Sequence, residues 1–167
     1  ERHVQKYSPF EVYAKSLQEF FRGHEMTSTE WERNQSKVYP ILSQYQRDGY
    51  HGLLKRAKRY NGALLCDGVG LGKTFVGLML IERLVMHDRL NVALFVPKSA
   101  REAVWERAIN QRIPHVFGSF VNLEIFNHTD LLRSGSFPKK FESIKERAHA
   151  IIIDEAHHFR NTGIKGE

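Results

Sequence analysis

The stretch from Ala63 to Thr74, which reads ALLCDGVGLGKT, constrains the fold of this chain more than any other. A short apolar run leads into a turn that contains three glycines and ends in Gly-Lys-Thr. The mostly apolar segment that follows, Phe75 to Val85, is long enough for a buried helix. A strand, a glycine-rich turn and a helix in this order predict a phosphate-binding loop.

The residue types in this turn suit a nucleoside triphosphate. Glycines let the backbone curl so that successive N–H groups point into one concavity, and the helix that begins near Lys73 directs its positive dipole end there. Lys73 would reach the β- and γ-phosphates, and the Thr74 hydroxyl would ligate Mg²⁺. The generic pattern has glycine where this chain has Asp67. We predict that the nucleotide is held by Asp67, Gly68, Val69, Gly70, Leu71, Gly72, Lys73 and Thr74.

Composition narrows the class of protein and its partners. Hydrophobic residues make up 41% of the 167 residues, enough for a packed core, and the formal charge of +6 suits an anionic partner such as nucleic acid. Cys66 is the single cysteine, so we expect a small buried hydrophobe, no internal disulfide and a reducing compartment. Neither a signal peptide nor an apolar run of membrane-spanning length is present. We expect no membrane partner and an intracellular location, nuclear in a eukaryote or cytoplasmic in a prokaryote, with the cytoplasm favoured.

Residues 1–40 are predicted to form a helical N-terminal extension. Ser8-Pro9-Phe10-Glu11 has the cap, the first-turn proline and the capping-box glutamate of a helix start. A second capping box is predicted at Thr29–Glu32, in a helix that must end before Pro40. We expect the aromatic side chains of both helices to pack on the next domain. Those of the first helix are Phe10, Tyr13, Phe20 and Phe21.

From Ile41 onwards, predicted strands and helices alternate. A helix from Gln46 to Tyr60 precedes the apolar run at 63–66. Further strands are predicted at 92–96, 121–126 and 150–153, with helices from the capping box Ser99–Glu102 and from Pro138 between them. Apolar strands without alternation, each separated by a helix, indicate an α/β fold whose parallel sheet is covered on both faces.

A second chemical motif, Asp154-Glu155-Ala156-His157, follows the last apolar strand. Open α/β sheets bind ligands at this end of their strands, and two adjacent carboxylates there are costly unless a cation or a reaction uses them. We predict that Asp154 holds Mg²⁺ and that Glu155 deprotonates the attacking water. The alternative is an acidic pair that caps a following helix. His157 is expected to link this site to the rest of the protein, and His158 to lie at the surface.

Taken together, DGVGLGKT and IIIDEAHHFRN resemble motifs I and II of superfamily 2 helicases, most closely the Swi/Snf-type branch with its DEAH motif. The segment YQRDG resembles the glutamine motif of that family and gives Gln46 the role of reading adenine. LFVPKS resembles motif Ia, whose loop touches the nucleic-acid backbone, and FNHT resembles a weaker motif Ib. The resemblance therefore implies nucleic-acid contacts at Pro97, Lys98, Ser99 and Thr129.

The same resemblance implies a fold and an activity. Residues 41–167 would form the first RecA-like lobe of a P-loop ATPase, cut short after motif II, because nothing after Asn161 resembles motifs III to VI. The lobe would use ATP and Mg²⁺, with Lys73, Asp154 and Glu155 as catalytic residues, to drive translocation on nucleic acid, duplex DNA by the resemblance. The sheet would lack the interior strand that follows motif II and would expose unpaired edges, so we expect the fragment alone to be poorly stable and feebly active. A second RecA-like lobe of the parent chain would complete the site.

Two other functions are compatible with these motifs. One is a P-loop ATPase of another kind, such as a ring-forming remodeller of proteins, which would form hexamers and would not respond to nucleic acid. The other is a nucleotide-sensing or scaffolding module that binds ATP without turnover.

Overall fold

The computed structural model describes residues 8–14, 16–17, 28–66, 70–118, 123–132 and 137–159. Helix α1 spans Ser28–Asn34, α2 spans Gln44–Tyr60 and α3 spans Lys73–Glu82, which continues as a π-helical turn over Arg83–His87. Helix α4 has three parts, α-helical at Lys98–Ala100, π-helical at Arg101–Glu106 and α-helical at Arg107–Arg112. Helix α5 spans Phe137–Arg147, and the strands are β1 at Val92–Val96, β2 at Leu123–Asn127 and β3 at Ala150–Ile153. Short 3₁₀ turns lie at Tyr39–Ile41, Pro114–Gly118, His128–Leu132 and Ala156–Phe159.

The described strands form one parallel sheet in the order β2-β1-β3. Strand β1 is central and buried along its whole length, as its unbroken apolar sequence predicts. The α/β character and the parallel sheet are therefore confirmed. The predicted strand bounds hold at 92–96 and 150–153, whereas β2 extends one residue further than expected, through Asn127.

The prediction that helices cover both faces of the sheet is wrong for β3. One face of the sheet packs on a large core that includes α3 and α4, and the other packs on Ile144 of α5 through Phe95 and Phe126. On that second face Ile151 and Ile153 remain 47% and 43% exposed. These two side chains stay exposed because β3 is the edge strand of the described sheet, whereas α5 covers the centre of the sheet.

The apolar run before the glycine loop was also predicted incorrectly. Residues 62–66 form no strand, Leu64 is 69% exposed, and Cys66 is exposed rather than buried. A strand exists only where a neighbouring strand accepts and donates its backbone hydrogen bonds. None of the described strands pairs with these residues, and so they form no strand.

The N-terminal helices confirm some predictions and correct others. In the predicted capping box, the Ser8 N–H donates to the Glu11 carboxylate at 2.7 Å and the Glu11 N–H donates to Ser8 Oγ at 3.2 Å. Residues 9–14 and 16–17 are helical, but Phe10 and Tyr13 are 75% and 63% exposed, so these aromatics do not pack on a neighbouring domain. Phe20 and Phe21 lie outside the described residues.

Helix α1, by contrast, packs on the rest of the chain. It ends before Pro40, as predicted, but Ser28 is already helical, so Thr29 is not its cap. Trp31 is 4% exposed within the main core, and its ring meets that of His87 edge to face. The neighbouring Glu32 is also buried and accepts from the Tyr50 hydroxyl at 2.7 Å.

A buried carboxylate at the end of α3 joins three segments. Glu82 is fully buried; it accepts hydrogen bonds from the Ser36 hydroxyl at 2.5 Å and from the Lys37 and Val38 N–H groups at 2.9 and 3.2 Å. Its Oε1 also lies 3.1 Å from His115 Nε2. Burial alone would raise the pKa of this carboxyl group, but the bonds from His115, Ser36 and the two backbone groups outweigh it and hold the pKa below its ordinary value.

Within the described part of the chain, no helix combines the length and the apolar character that crossing a membrane requires.

We predict that Glu82→Gln lowers the free energy of unfolding at neutral pH by about 2 kcal/mol, because an amide cannot accept every hydrogen bond that the carboxylate accepts. The contribution of a carboxylate with a lowered folded-state pKa is complete above its unfolded value, near 4.5, and is lost as the pH falls through the folded value. The difference between wild type and variant should therefore shrink in acid. Urea denaturation at several pH values, from neutral to acidic, measures the loss of stability at neutral pH and its decrease in acid.

The matched control is Glu142→Gln, since Glu142 is an exposed glutamate on α5 that pairs with the exposed Lys145. We expect it to change the unfolding free energy little at any pH. Equal stability of wild type and Glu82→Gln at neutral pH would show that the buried carboxylate does not hold these segments.

Candidate functional site

The parallel sheet brings the predicted site residues that follow its strands to one edge. Val96 pairs with Asn127, and Phe95 pairs with Ile153, so the carboxyl ends of all three strands lie side by side. Ligands bind to open α/β sheets at this edge. The residues that follow the strands here are Pro97, Lys98 and Ser99 after β1, Thr129 after β2, and Asp154 and Glu155 after β3.

The glycine loop has the backbone conformation that only glycine adopts readily. Gly70 and Gly72 have φ angles of +84° and +76°. The loop then enters α3, whose first residues are Lys73 and Thr74, both partly buried. No side chain caps the start of α3, and the Phe75 N–H donates to the Gly72 carbonyl at 2.9 Å. The start of a helix favours an anion through its dipole. Three predicted nucleotide-binding residues, Asp67, Gly68 and Val69, lie outside the described residues.

Gln46 lies against this loop and contacts it directly. Its Nε2 donates to the carbonyl oxygen of Leu71 at 3.3 Å, and its Oε1 accepts from the Ser43 N–H at 3.0 Å. A Cβ added to Gly72 would collide with the same Nε2. Both ends of the amide are therefore engaged within the chain, and each has one further hydrogen-bonding position, a second N–H and a second lone pair, with which it could contact a base.

The contact with Ser43 belongs to a capping box that the sequence analysis missed. Ser43 is the N-cap of α2, and its hydroxyl accepts from the Gln46 N–H at 3.3 Å. The helix therefore begins at Gln44 rather than at Gln46. The Ser-x-x-Gln pattern at 43–46 is the signal that could have located this start.

Asp154 is anchored by its backbone and by its side chain. Its N–H donates to the Phe95 carbonyl at 2.9 Å, which extends the pairing of β3 with β1. Its Oδ2 accepts a 2.7 Å hydrogen bond from the indole N–H of Trp105 on α4. Trp105 is buried and its far edge lies over Gly77 of α3, one helical turn after Lys73. Asp154 and the first turns of α3 thus lie on two sides of one indole ring.

Glu155 occupies an unusual backbone conformation. Its φ angle is +50°, in the left-handed region that side-chain-bearing residues rarely adopt. The carboxylate is 45% exposed and lies 3.1 Å from Nδ1 of His157. This contact lies within the motif itself, so the link from His157 to the rest of the protein stays a prediction, and the side chain of His158 is not among those described. The two adjacent carboxylates have different partners, an indole N–H for one and an imidazole for the other.

The expected magnesium ligands suit that ion chemically. A threonine hydroxyl and a carboxylate are both oxygen donors, the ligands that Mg²⁺ prefers, and few protein ligands are needed when phosphates supply others. In the described part of the chain, no group of three or more His, Cys, Asp or Glu side chains is arranged to hold a metal ion. The assignment of Mg²⁺ to Thr74 and Asp154 stays a prediction from the sequence.

The predicted nucleic-acid contacts lie at the start of α4 and after β2. Lys98, Ser99 and Thr129 are exposed, and Pro97 is partly buried. Lys98 and Ser99 line an open groove together with Arg101, Glu102, Glu106 and Asn127. The prediction that Ser99 caps this helix is wrong: α4 begins at Lys98 after Pro97, and no side chain caps it. The Ser99 hydroxyl is accordingly not committed to a helix cap.

No family model matches the chain, and no solved structure matches it.

We predict that Gly72→Ala destabilises the protein more than Gly70→Ala. Both substitutions place alanine at a positive φ, which costs about 1 kcal/mol. A Cβ at Gly70 meets no described atom within 4 Å, whereas one at Gly72 displaces the Gln46 amide and breaks its hydrogen bonds, adding about 1 kcal/mol. Urea denaturation gives both values.

The Gln46→Ala background is the control for this comparison, because it removes the amide before the methyl group is added. There the two glycine substitutions should cost the same. If Gly72→Ala already costs no more than Gly70→Ala in the wild-type background, Gln46 does not support the loop.

Proposed function

We propose that this chain binds Mg-ATP at the glycine loop and is the ATP-binding part of a nucleic-acid-dependent ATPase, a helicase or translocase acting on duplex DNA. One observation carries the proposal: the indole of Trp105 lies between Asp154 and the helix that begins with Lys73 and Thr74. A lysine and a hydroxyl at the start of a helix, and a carboxylate after a parallel strand, are groups that phosphoryl transfer uses.

Each residue has a distinct task in this proposal. The Lys73 ammonium group neutralises charge on the terminal phosphates, and left-handed Gly70 and Gly72 shape the loop that surrounds them. Thr74 and Asp154 hold the Mg²⁺ ion, which when bound supplies charge neutralisation at the phosphates. Glu155 is exposed enough to meet water and accepts its proton, with His157 orienting the carboxylate.

The nucleic-acid part of the proposal rests on position and charge. Lys98, Ser99 and Thr129 are exposed along the same edge of the sheet that carries Asp154, and the chain has a formal charge of +6. An ammonium group and hydroxyls at a helix start suit a phosphate backbone, which they would bind without reading sequence. Nucleic acid bound there would lie close enough to the nucleotide site for the two to influence each other.

We predict that Lys73→Ala abolishes Mg-ATP binding without unfolding the chain, because the lysine of a phosphate-binding loop supplies the positive charge that meets the terminal phosphates. Equilibrium binding of a fluorescent ATP analogue in the presence of Mg²⁺ measures the loss. Lys145→Ala, which removes an exposed lysine of α5, should bind the analogue as the wild type does. Glu155→Gln should retain binding but lose hydrolysis in a single turnover with excess protein.

These outcomes separate the candidate functions. Binding that survives Lys73→Ala excludes the glycine loop as the nucleotide site. If Glu155→Gln and the wild type behave alike, with binding but no turnover in either, the chain is a nucleotide-sensing module.

We predict that Lys98→Ala weakens binding to a short DNA duplex and reduces the slope of log K against log salt concentration by about 1, since one phosphate contact is lost. Fluorescence anisotropy at several salt concentrations measures both quantities. Lys145→Ala is again the control, because α5 ends beside Asn91, at the amino edge of the sheet. Equal slopes for the wild type and Lys98→Ala would remove Lys98 from the nucleic-acid interface.

A further inference from the structure

Trp105 makes a specific polar contact from inside the core. Its side chain is 2% exposed, and its single donor, the Nε1–H group, points to Asp154 Oδ2 at 2.7 Å. The indole N–H group can donate a hydrogen bond but cannot accept one. The carboxylate oxygen of Asp154 accepts it through a lone pair. Buried tryptophan usually finds some partner for this group. Here the partner is the carboxylate that the glycine-loop site would use for Mg²⁺.

The other end of the same ring is fixed by α3. A Cβ built on Gly77 would lie 2.5 Å from Cη2 of Trp105 and 3.3 and 3.5 Å from Cζ3 and Cζ2. Such a contact is possible only because residue 77 is glycine, a residue that otherwise weakens a helix interior. The indole therefore packs between α3 and Asp154, the residue after β3. A rotation that moved its N–H group away from Asp154 would also break its contact with α3.

The backbone around Trp105 connects the ring to the start of α4. Trp105 belongs to the π-helical part of α4, a form that is rare and often occurs at functional sites. This segment is braced by an ion pair between Arg101 and Glu106 at 2.7 Å. Lys98 and Ser99 lie at the start of the same helix, so a displacement of these two residues would be transmitted to Trp105 through the helix backbone.

We infer that Trp105 is a positioning residue that holds the Asp154 carboxylate in register with α3 for Mg²⁺ ligation. The inference rests on the proposed Mg-ATP site. Groups that hydrogen-bond to a metal ligand fix its orientation, and their removal commonly costs a factor of about 10 to 100 in metal affinity. Trp105 acts through Asp154 and does not itself touch the nucleotide.

Trp105→Phe tests this assignment, because phenylalanine keeps an aromatic ring in the core but is too short to reach Gly77 and has no N–H donor. We expect the Mg²⁺ concentration that half-saturates ATP binding to rise about 10-fold or more, while ATP affinity in EDTA stays the same. Ile109→Val is the matched control: it trims a fully buried side chain of α4 and should alter neither quantity.

A measurement on the unmodified chain covers the case in which Trp105→Phe fails to fold. In ¹⁵N spectra the two indole N–H signals, from Trp31 and Trp105, are assigned with Trp31→Phe. The Trp105 signal should shift when Mg²⁺ and ATP are added together but not with ATP and EDTA. A Trp105 signal that is unchanged by bound Mg-ATP overturns the inference.

Failure of the inference and failure of the proposed function have different signatures. If the wild type binds ATP more tightly with Mg²⁺ and Trp105→Phe keeps the full enhancement, only the role of Trp105 is overturned. If Mg²⁺ does not strengthen ATP binding to the wild type at all, the proposed site fails and the inference fails with it.

Discussion

The parallel pairing of β1 with strands on both of its edges is the constraint on which the rest of this structure depends. Its five residues are buried, so β1 can lie only at the centre of the sheet. Parallel neighbours then place all three carboxyl ends together, whatever the sequences that follow them. The chemistry-bearing residues at 97–99 and 154–155 are separated by more than fifty positions in the chain. They share one edge because of this register alone.

Helix α3 is held at both of its ends by different physical means. Near its start, Gly77 receives the ring of Trp105, and the contact depends on shape. At its end, Glu82 binds the backbone of 37–38 and the hydroxyl of Ser36, and the contact depends on a buried charge that is fully hydrogen-bonded. A helix fixed in this way resists sliding or rotating independently of the sheet. The glycine loop before it therefore has a firm support on one side, and Gln46 supports it on the other.

Sequence patterns correctly predicted elements that depend on residues close by in the chain. They failed for elements whose formation depends on contacts with distant parts of the chain. The five-residue run at 92–96 and the capping box at Ser8 depend on neighbouring residues, and both were predicted correctly. The run at 63–66 is as apolar as a buried strand, but whether it becomes one depends on a strand beside it, which its own composition does not encode. The contact between Trp105 and Asp154 has no sequence signature, because it joins residues brought together only by the sheet.

The adjacent carboxylates at 154 and 155 illustrate how one turn can give two like residues different properties. Asp154 continues the hydrogen-bonding of β3 through its N–H and receives a buried indole donor. At Glu155 the backbone reaches a φ of +50°, which a residue with a Cβ adopts at a cost of about 1 kcal/mol, and the side chain emerges half exposed beside His157. In an extended strand the two side chains would point to opposite faces of the sheet. The left-handed backbone at Glu155 instead ends the strand direction and leaves the second carboxylate half exposed beside His157, as its proposed role as a proton acceptor requires.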